Sequence, residues 1–283
     1  MKNLILRTLT GVVFVVVLVG GIVLGPITMG ALFALITGLC VWELTGLLNM
    51  QPQVTVNRMI STVAAVYLFL AFWGYSSGWT PTTGVFIPYL LSIIYLLISE
   101  LYQERLHALN NWAYTMFVQV YVALSFGLLP TLSFMTDPMQ PTVVVYRWIF
   151  PLMLFILLWC SDTGAYCIGT MLGKMIPYRL FPSVSPKKSW VGSIGGAVIA
   201  LAVAAVVARW DNSLTMPEWM GFALIVVVFG TWGDLVESLL KRQLGVKDSG
   251  KMLPGHGGML DRFDSSLLAI PAVVVYLYTL MIL

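Results

Sequence analysis

Nine long apolar stretches alternate with short polar segments along this chain of 283 residues. A helix needs about 20 apolar residues to cross the hydrocarbon core of a bilayer, and most of the stretches approach or reach that length. Gly25-Pro26 separates the first two stretches, and Gly, Pro, Ser and Asn mark most of the other junctions. The pattern therefore predicts an all-α polytopic integral membrane protein with about nine transmembrane helices. The stretches are residues 4–25, 27–48, 58–73, 84–101, 112–132, 148–171, 190–209, 217–240 and 265–283.

Composition agrees with a membrane protein and argues against several other classes. Hydrophobic residues make up 59% of the chain and charged residues only 10%, whereas soluble domains average about 25% charged residues. The net charge of +3 is too small to indicate a nucleic-acid partner. Three cysteines in apolar context (Cys40, Cys160 and Cys167) form neither a disulfide framework nor a C-x-x-C metal site.

The distribution of basic residues predicts how the helices are oriented. With the N-terminus in the cytoplasm, 13 of the 15 Lys and Arg residues fall on the cytoplasmic side, and only Arg147 and Arg209 fall on the far side. This is the asymmetry that the positive-inside rule describes, and it places the C-terminus on the far side. The N-terminal run continues as apolar sequence to Leu48, which favours a retained anchor over a cleaved signal peptide. We expect two regions: 1–145 with about five helices, and 146–283 with the catalytic residues and cytoplasmic loops 172–189 and 241–264.

Carboxylates in the C-terminal half indicate chemistry. Asp162 and Asp234 interrupt apolar runs, where a charge is costly and is by default a sign of function. The alternative is a buried polar pair that holds helices together. Asp234 and Glu237 are three residues apart, as are Asp261 and Asp264, so a helix presents each pair on one face. Oxygen ligands of this kind suit a hard cation such as Mg²⁺.

Basic and glycine-rich loops accompany these acids. Lys241, Arg242, Lys247 and Lys251 lie beside the sequence GHGG at residues 255–258, and a second loop carries Lys174, Arg179, Lys187 and Lys188. Glycines let backbone N–H groups approach an anion, and basic side chains neutralise phosphate charge. Positive-inside loops are basic without binding anything, which is the alternative interpretation. Among its glycines, His256 is better placed for phosphate contact than for proton abstraction. Glu43, near the cytoplasmic end of its helix, is expected to be an interfacial charge.

Three motifs resemble those of the CDP-diacylglycerol synthases, also called phosphatidate cytidylyltransferases. The segment SLLKRQLGVKDSGKMLPGHGGMLDRFD (residues 238–264) matches the family's C-terminal pattern of S-x-x-K-R, K-D, L-P-G-H-G-G and D-R-x-D. SDTGAY (161–166) and SPKKSWVGSIGG (185–196) are also similar, with Val191 standing where the family pattern has a polar residue. The resemblance covers roughly residues 155–265. It implies transfer of CMP from CTP to phosphatidic acid, giving CDP-diacylglycerol and pyrophosphate.

The resemblance and the residue pattern together give a candidate site. Asp234 and Asp261 are the expected ligands of a catalytic Mg²⁺, with a second cation allowed, and Asp162, Glu237 and Asp264 are auxiliary metal-site candidates. Catalytic roles are assigned to Asp234, Asp261, Lys241, Arg242 and His256. Substrate binding is assigned to Ser185, Lys187, Lys188, Lys247, Asp248, Gly257, Gly258 and Arg262. The expected partners are CTP, phosphatidic acid, membrane lipids and a second copy in a homodimer, in a bacterial cytoplasmic membrane with the site facing the cytoplasm.

Two other functions remain open on the residues alone. An ion-coupled transporter also uses buried carboxylates, but the internal helix duplication common in such proteins is not evident. Another membrane phosphotransferase, such as a CDP-alcohol phosphotransferase, would carry a D-G-x-x-A-R pattern followed by two further aspartates, and the sequence lacks it.

Overall fold

The computed structural model describes residues 2–103, 107–136, 140, 143–173, 178–250, 252 and 257–280. The chain divides into two compact units. The first comprises Met1–Ile149, Val246–Phe263 and Leu283, and the second comprises Phe150–Gly245 and Asp264–Ile282. The polar segment that follows residue 245 therefore belongs with the N-terminal helices. The predicted functional division after residue 145 stays a prediction.

The first unit begins with four long helices separated by short breaks. Gly25 adopts a φ of 146°, which few residues other than glycine reach, and Pro26 then starts the second helix. The predicted break at Gly25-Pro26 is thus confirmed. The helices are α1 (Lys2–Val23), α2 (Pro26–Leu48), α3 (Arg58–Ser76) and α4 (Ile87–Tyr102).

The predicted span at residues 112–132 is helical but not uniform. It begins as α5 (Ala108–Val118), widens into a π-helical segment (Gln119–Leu124), and ends in the short helices α6 (Ser125–Gly127) and α7 (Leu129–Ser133). A small antiparallel hairpin follows, formed by β1 (Phe134–Thr136) and β2 (Val144–Tyr146). The rings of Phe33 and Phe126 lie 6.3 and 5.5 Å from the ring of Phe263, which fixes the segment after residue 245 in the core of this unit.

The second unit contains the predicted catalytic helices and one more hairpin. Its elements are α8 (Ile149–Leu172), β3 (Arg179–Phe181), β4 (Ser185–Ser189), α9 (Trp190–Val207) and α10 (Met216–Gln243). The last helix, α11 (Leu260–Thr279), starts in the first unit and continues in the second from Asp264. Ser189 caps α9 by accepting a hydrogen bond from the Gly192 N–H at 3.2 Å, so the hairpin leads directly into this helix.

Glycines bring the helices of the second unit into backbone contact. A Cβ built on Gly196 of α9 would lie 2.4 Å from the carbonyl oxygen of Ser161 in α8, and one on Gly233 of α10 would lie 2.7 Å from the carbonyl oxygen of Asp264 in α11. Small residues allow such close approach where lipid removes the hydrophobic drive for helices to associate. The two contacts place the backbones next to Asp162, Asp234 and Asp264 against neighbouring helices.

Seven helical segments in the described part of the chain are long and apolar enough to cross a membrane. They correspond to the second through eighth predicted spans, and their ends agree within a few residues. The first predicted span contains the shorter apolar helix Thr8–Val23, and the last corresponds to α11, whose first turn carries Asp261, Arg262 and Asp264. The all-α polytopic membrane fold is confirmed, whereas the count of nine and the orientation stay predictions.

Candidate active site

The C-terminal half of α10 presents a row of charged side chains. Asp234, Glu237 and Lys241 follow one another at spacings of three and four residues, which places them on one side of the helix. The Lys241 Nζ lies 2.5 Å from the Glu237 Oε2, and the Glu237 side chain is completely buried. Removing a carboxylate from water is costly without a cation beside it, so Lys241 is the partner that makes this burial tolerable.

Asp234 is held by two other elements of its unit. The Nζ of Lys188, on β4, lies 2.6 Å from the Asp234 Oδ2 and also donates to the Thr231 carbonyl at 3.3 Å. The Ser238 Oγ donates to the Asp234 Oδ1 at 3.1 Å. The Lys188 and Asp234 side chains remain 22% and 28% exposed, so a ligand can reach both charges.

The hairpin β3–β4 places the two neighbouring lysines. Arg179 donates from Nη1 to the Lys187 carbonyl at 3.4 Å, and the Trp190 N–H donates to the Tyr178 carbonyl at 3.1 Å. Strand alternation then points Lys187 and Lys188 to opposite faces. Lys188 is directed toward Asp234, and Lys187 is exposed.

Two further aspartates interact electrostatically with the Asp234 carboxylate. Asp162 on α8 interacts electrostatically with Asp234 and Lys188, and Asp264 on α11 interacts with Asp234, Asp162 and Lys241. Asp264 also accepts a hydrogen bond at Oδ1 from the Ser265 N–H at 2.6 Å. The structure therefore brings together three of the predicted acids from three helices, whereas their individual roles stay predictions.

A second carboxylate cluster lies in the first unit. Asp261 accepts hydrogen bonds from the backbone N–H of Ser249 at 2.9 Å and of Gly258 at 2.8 Å, both at Oδ2. Glu43 of α2 accepts at Oε2 from the Ser249 Oγ at 3.2 Å and from the Leu260 N–H at 3.0 Å. The carboxylate of Glu43 is thus bonded to the polar segment after residue 245, and the expectation that it is an interfacial charge stays a prediction.

The remaining predicted site residues fall into three groups. Arg242 and Ser185 lie in the second unit, where Arg242 is exposed and Ser185 is half-buried at the start of β4. Gly257 and Gly258 lie beside Asp261 in the first unit, and Gly257 adopts a φ of +84°. Lys247, Asp248 and Arg262 are exposed in the same unit. His256, Lys174 and Lys251 lie outside the described residues.

The three aspartates of the second unit offer oxygen atoms, which are the type of donor that a hard cation prefers. Asp162, Asp234 and Asp264 supply only oxygen donors, and their mutual repulsion would fall if a cation bound among them. Within the described ranges, no group of three or more His, Cys, Asp or Glu side chains is arranged to hold a metal ion. Asp234 belongs to the second unit and Asp261 to the first, and their joint role as metal ligands stays a prediction.

The sequence analysis gave Glu43 no partner and gave Ser249 no role, although the two residues are bonded to each other in the first unit. Glu43 and Ser249 are 206 positions apart, and their bond joins two segments that look unrelated along the chain. The available signal was a lone carboxylate within the apolar run CVWELTGLL, the same signal that drew attention to Asp162 and Asp234.

Comparison with known proteins places the chain in a family. The sequence profile of the Cytidylyltransferase family matches residues 5–280. A protein of Staphylococcus aureus (strain COL) named Phosphatidate cytidylyltransferase is 32% identical over 272 residues, which cover 96% of this chain and 98% of that protein. A protein of the same name from Staphylococcus haemolyticus (strain JCSC1435) is 31% identical over 96% of this chain and 98% of its own length. One from Staphylococcus epidermidis (strain ATCC 35984) is 35% identical over 68% of this chain and 79% of its own length. Because the profile and the relatives match almost from end to end, the chain belongs to the cytidylyltransferase family.

Proposed function

We propose that this protein is a phosphatidate cytidylyltransferase, which converts CTP and phosphatidic acid into CDP-diacylglycerol and pyrophosphate. The observation that carries the proposal is the nearly full-length likeness to relatives that bear this name. The apolar helices support it as well, because one substrate is a membrane lipid and the other is a soluble triphosphate. An enzyme joining the two needs a charged site within reach of a bilayer.

The reaction exchanges one phosphorus–oxygen bond for another. An oxygen of the lipid phosphate attacks the α-phosphorus of CTP, forming a new phosphoanhydride bond. The bond from the α-phosphorus to the oxygen that bridges it to the β-phosphorus breaks, and that oxygen leaves with its electron pair as part of pyrophosphate. A phosphate monoester is already largely ionised near neutral pH, since its second pKa is about 6. The chain therefore has to neutralise and align the reactants rather than remove a proton.

Charge neutralisation is the main task, because both reactants are anions. Two unit negative charges about 4 Å apart repel by about 4 kcal/mol at an effective dielectric constant of 20. Lys188 and Lys241 provide positive charge in the second unit, and the exposed Lys187 provides more on the same hairpin. In this proposal the three amines hold the phosphates, and the ion pairs with Asp234 and Glu237 keep the Lys188 and Lys241 amines in place.

The chemistry of such a transfer also favours a divalent cation. Mg²⁺ is commonly held by one or two carboxylates, with substrate phosphates and water completing its coordination. Asp234 and Asp261 would hold the ion, and Asp162, Glu237 and Asp264 would orient these ligands. When bound, Mg²⁺ would offset the negative charge of the triphosphate and of the departing pyrophosphate.

The location of the site is part of the same proposal. The predicted topology puts 13 of 15 basic residues on the cytoplasmic side, where CTP is available, so we place the site at the cytoplasmic face of a bacterial inner membrane. The homodimer implied by the sequence resemblance belongs to this proposal too.

The test uses purified full-length protein in detergent with Mg²⁺, phosphatidic acid and CTP labelled at either the α- or the γ-phosphorus. We expect the α-label to enter the lipid extract and the γ-label to stay in water-soluble pyrophosphate. Replacing phosphatidic acid with diacylglycerol is the matched control, because that lipid lacks the attacking phosphate. A folded protein that puts no α-label into lipid, or labels it equally well with diacylglycerol, would refute the proposal.

A further inference from the structure

Ser249 is the residue on which the Glu43 and Asp261 carboxylates of the first unit converge. Its backbone N–H donates to Asp261, and its Oγ accepts a hydrogen bond from the Asp261 N–H at 3.3 Å. The Ser249 and Asp261 pair therefore bonds reciprocally, side chain to backbone in both directions. Ser249 is only 4% exposed, so water contributes little to these bonds.

Glu43 completes this arrangement from a distant helix. Because the Ser249 Oγ accepts from Asp261, its own proton is available to a different acceptor, and the Glu43 Oε2 lies 3.2 Å away. The same carboxylate oxygen accepts from the Leu260 N–H, just before Asp261. One side chain on α2 thereby binds the polar segment on both sides of residues 251–256.

The surrounding backbone leaves little freedom for another arrangement. A Cβ on Gly258 would lie 2.1 Å from the Ser249 Oγ and 2.5 Å from the Glu43 Oε2. A Cβ on Gly250 would lie 2.6 Å from the Glu43 Oε1. A Cβ on Gly258 would also lie 2.7 Å from the backbone nitrogen of Gly250, so the glycine at 258 lets these two stretches of backbone approach each other beside the Glu43 carboxylate.

We propose that Glu43 is a positioning residue for the cytidylyl transfer: it fixes the Ser249 hydroxyl and the start of α11 so that Asp261 and its neighbours are held in the geometry the reaction needs. The proposal rests on the proposed function for its catalytic part. Its structural part, the bonding of Glu43 to the segment, does not depend on that function. No role in binding a metal or a substrate is required of Glu43 itself.

Two substitutions at Glu43 separate positioning from a role that needs its charge. Glu43→Ala removes both hydrogen bonds, and bonds to charged groups are worth about 1.5–3 kcal/mol each, so we expect kcat/KM to fall about 100-fold or more. Glu43→Gln retains an amide oxygen that accepts both bonds at about half the strength, and its kcat/KM should stay within about tenfold of the wild type. A glutamine as inactive as the alanine would overturn positioning, as would a fully active alanine variant.

The control is Glu100→Ala, the same truncation at a different acid of the first unit. Asn111 donates to the Glu100 Oε2 at 2.7 Å, in a part of the unit that carries none of the predicted site residues. The control variant should lower the melting temperature without the loss of kcat/KM that is expected for Glu43→Ala. If Glu43→Ala yields too little folded protein, Ser249→Ala tests the same contact from the other side, with an expected loss of at least about tenfold. Wild-type kinetics for Ser249→Ala would refute the proposal.

Hydrogen exchange provides a readout that is independent of activity. Peptides covering residues 246–263 should exchange faster in Glu43→Ala than in the wild type, because the Leu260 N–H and the Ser249 hydroxyl lose their acceptor. Exchange in peptides from α8 should not change. If the wild type makes no liponucleotide but this difference is found, the proposed function fails while the anchoring of the segment stands. Unchanged exchange in an active enzyme would overturn the anchoring and with it the positioning role, while the proposed function would stand.

Discussion

Replacing Asp234 with asparagine tests whether the Lys188–Asp234 pair serves catalysis or only folding. Asp234→Asn preserves size and the acceptor for the Ser238 hydroxyl but removes the charge that faces Lys188. Because the two side chains are 22% and 28% exposed, the pair should behave as a near-surface ion pair, worth about 0.2–1 kcal/mol. For a chain of this size, such a loss lowers the melting temperature by no more than about 4 °C.

The catalytic effect should be much larger than the effect on stability. In the proposed reaction Asp234 holds the cation that offsets the phosphate charge, and loss of one such electrostatic contribution to the transition state typically lowers kcat by about 100- to 1,000-fold. The assay measures liponucleotide formation across a Mg²⁺ titration, beside the detergent-extracted yield and the melting temperature. Asp211→Asn is the matched control, since Asp211 belongs to the same unit but is bonded only locally to Ser213 in the described contacts.

Two outcomes would refute this reasoning about Asp234. Near-normal turnover of Asp234→Asn at ordinary Mg²⁺ would remove the residue from the reaction. A loss of folded protein corresponding to about 3–5 kcal/mol would instead show that the pair is a buried structural one.

Further predictions follow from the same contacts. Lys241→Met removes the ion-pair partner of the buried Glu237 and should cost about 3–5 kcal/mol, visible as a larger fall in melting temperature than for Lys188→Met. Lys187→Ala changes only an exposed side chain and should lower kcat/KM by about 10- to 150-fold at an unchanged melting temperature. Full activity at limiting CTP and lipid would mean that Lys187 contributes only to the charge asymmetry of the loops and binds no substrate. Gly196→Val forces a side chain against the Ser161 carbonyl and should destabilise by about 1–3 kcal/mol in a thermal unfolding experiment; the control is Gly20→Val, the same change in a helix where the new Cβ meets nothing within 4 Å. In intact cells, an impermeant thiol reagent should not label Ser183→Cys, and labelling would overturn the predicted orientation.

The sequence was most informative where local rules decide the structure. Apolar runs of membrane-spanning length predicted seven helices to within a few residues, and Gly25-Pro26 marked a real break. The sequence also predicted that Asp162 and Asp234 mark a functional region, and the structure shows that both interact electrostatically with Asp264, whereas their roles as metal-site residues stay predictions.

What the sequence left out depends on contacts between distant segments. The hairpin β3–β4 is built from residues such as Ser185, Lys187 and Lys188, which lack the apolar alternation that predicts a strand. The π-helical segment Gln119–Leu124 contains no Gly or Pro of its own to mark it, and Gly127 and Pro130 follow only later in the same span. Glu43 could not be assigned a partner, because its hydrogen bonds go to residues more than 200 positions away.

The glycine contact between α8 and α9 determines which parts of the second unit can vary. On the inner side of α9, Gly192 and Gly196 meet main-chain atoms of α8, so the spacing of the two helices is set by backbone rather than by side chains. On the outer side, Ile194 and Val198 are 60% and 59% exposed and have only to remain apolar. Mutations accumulating on the outer side can therefore adapt the enzyme to bilayers of different composition while the positions of Asp162 and of the hairpin that carries Lys188 stay the same.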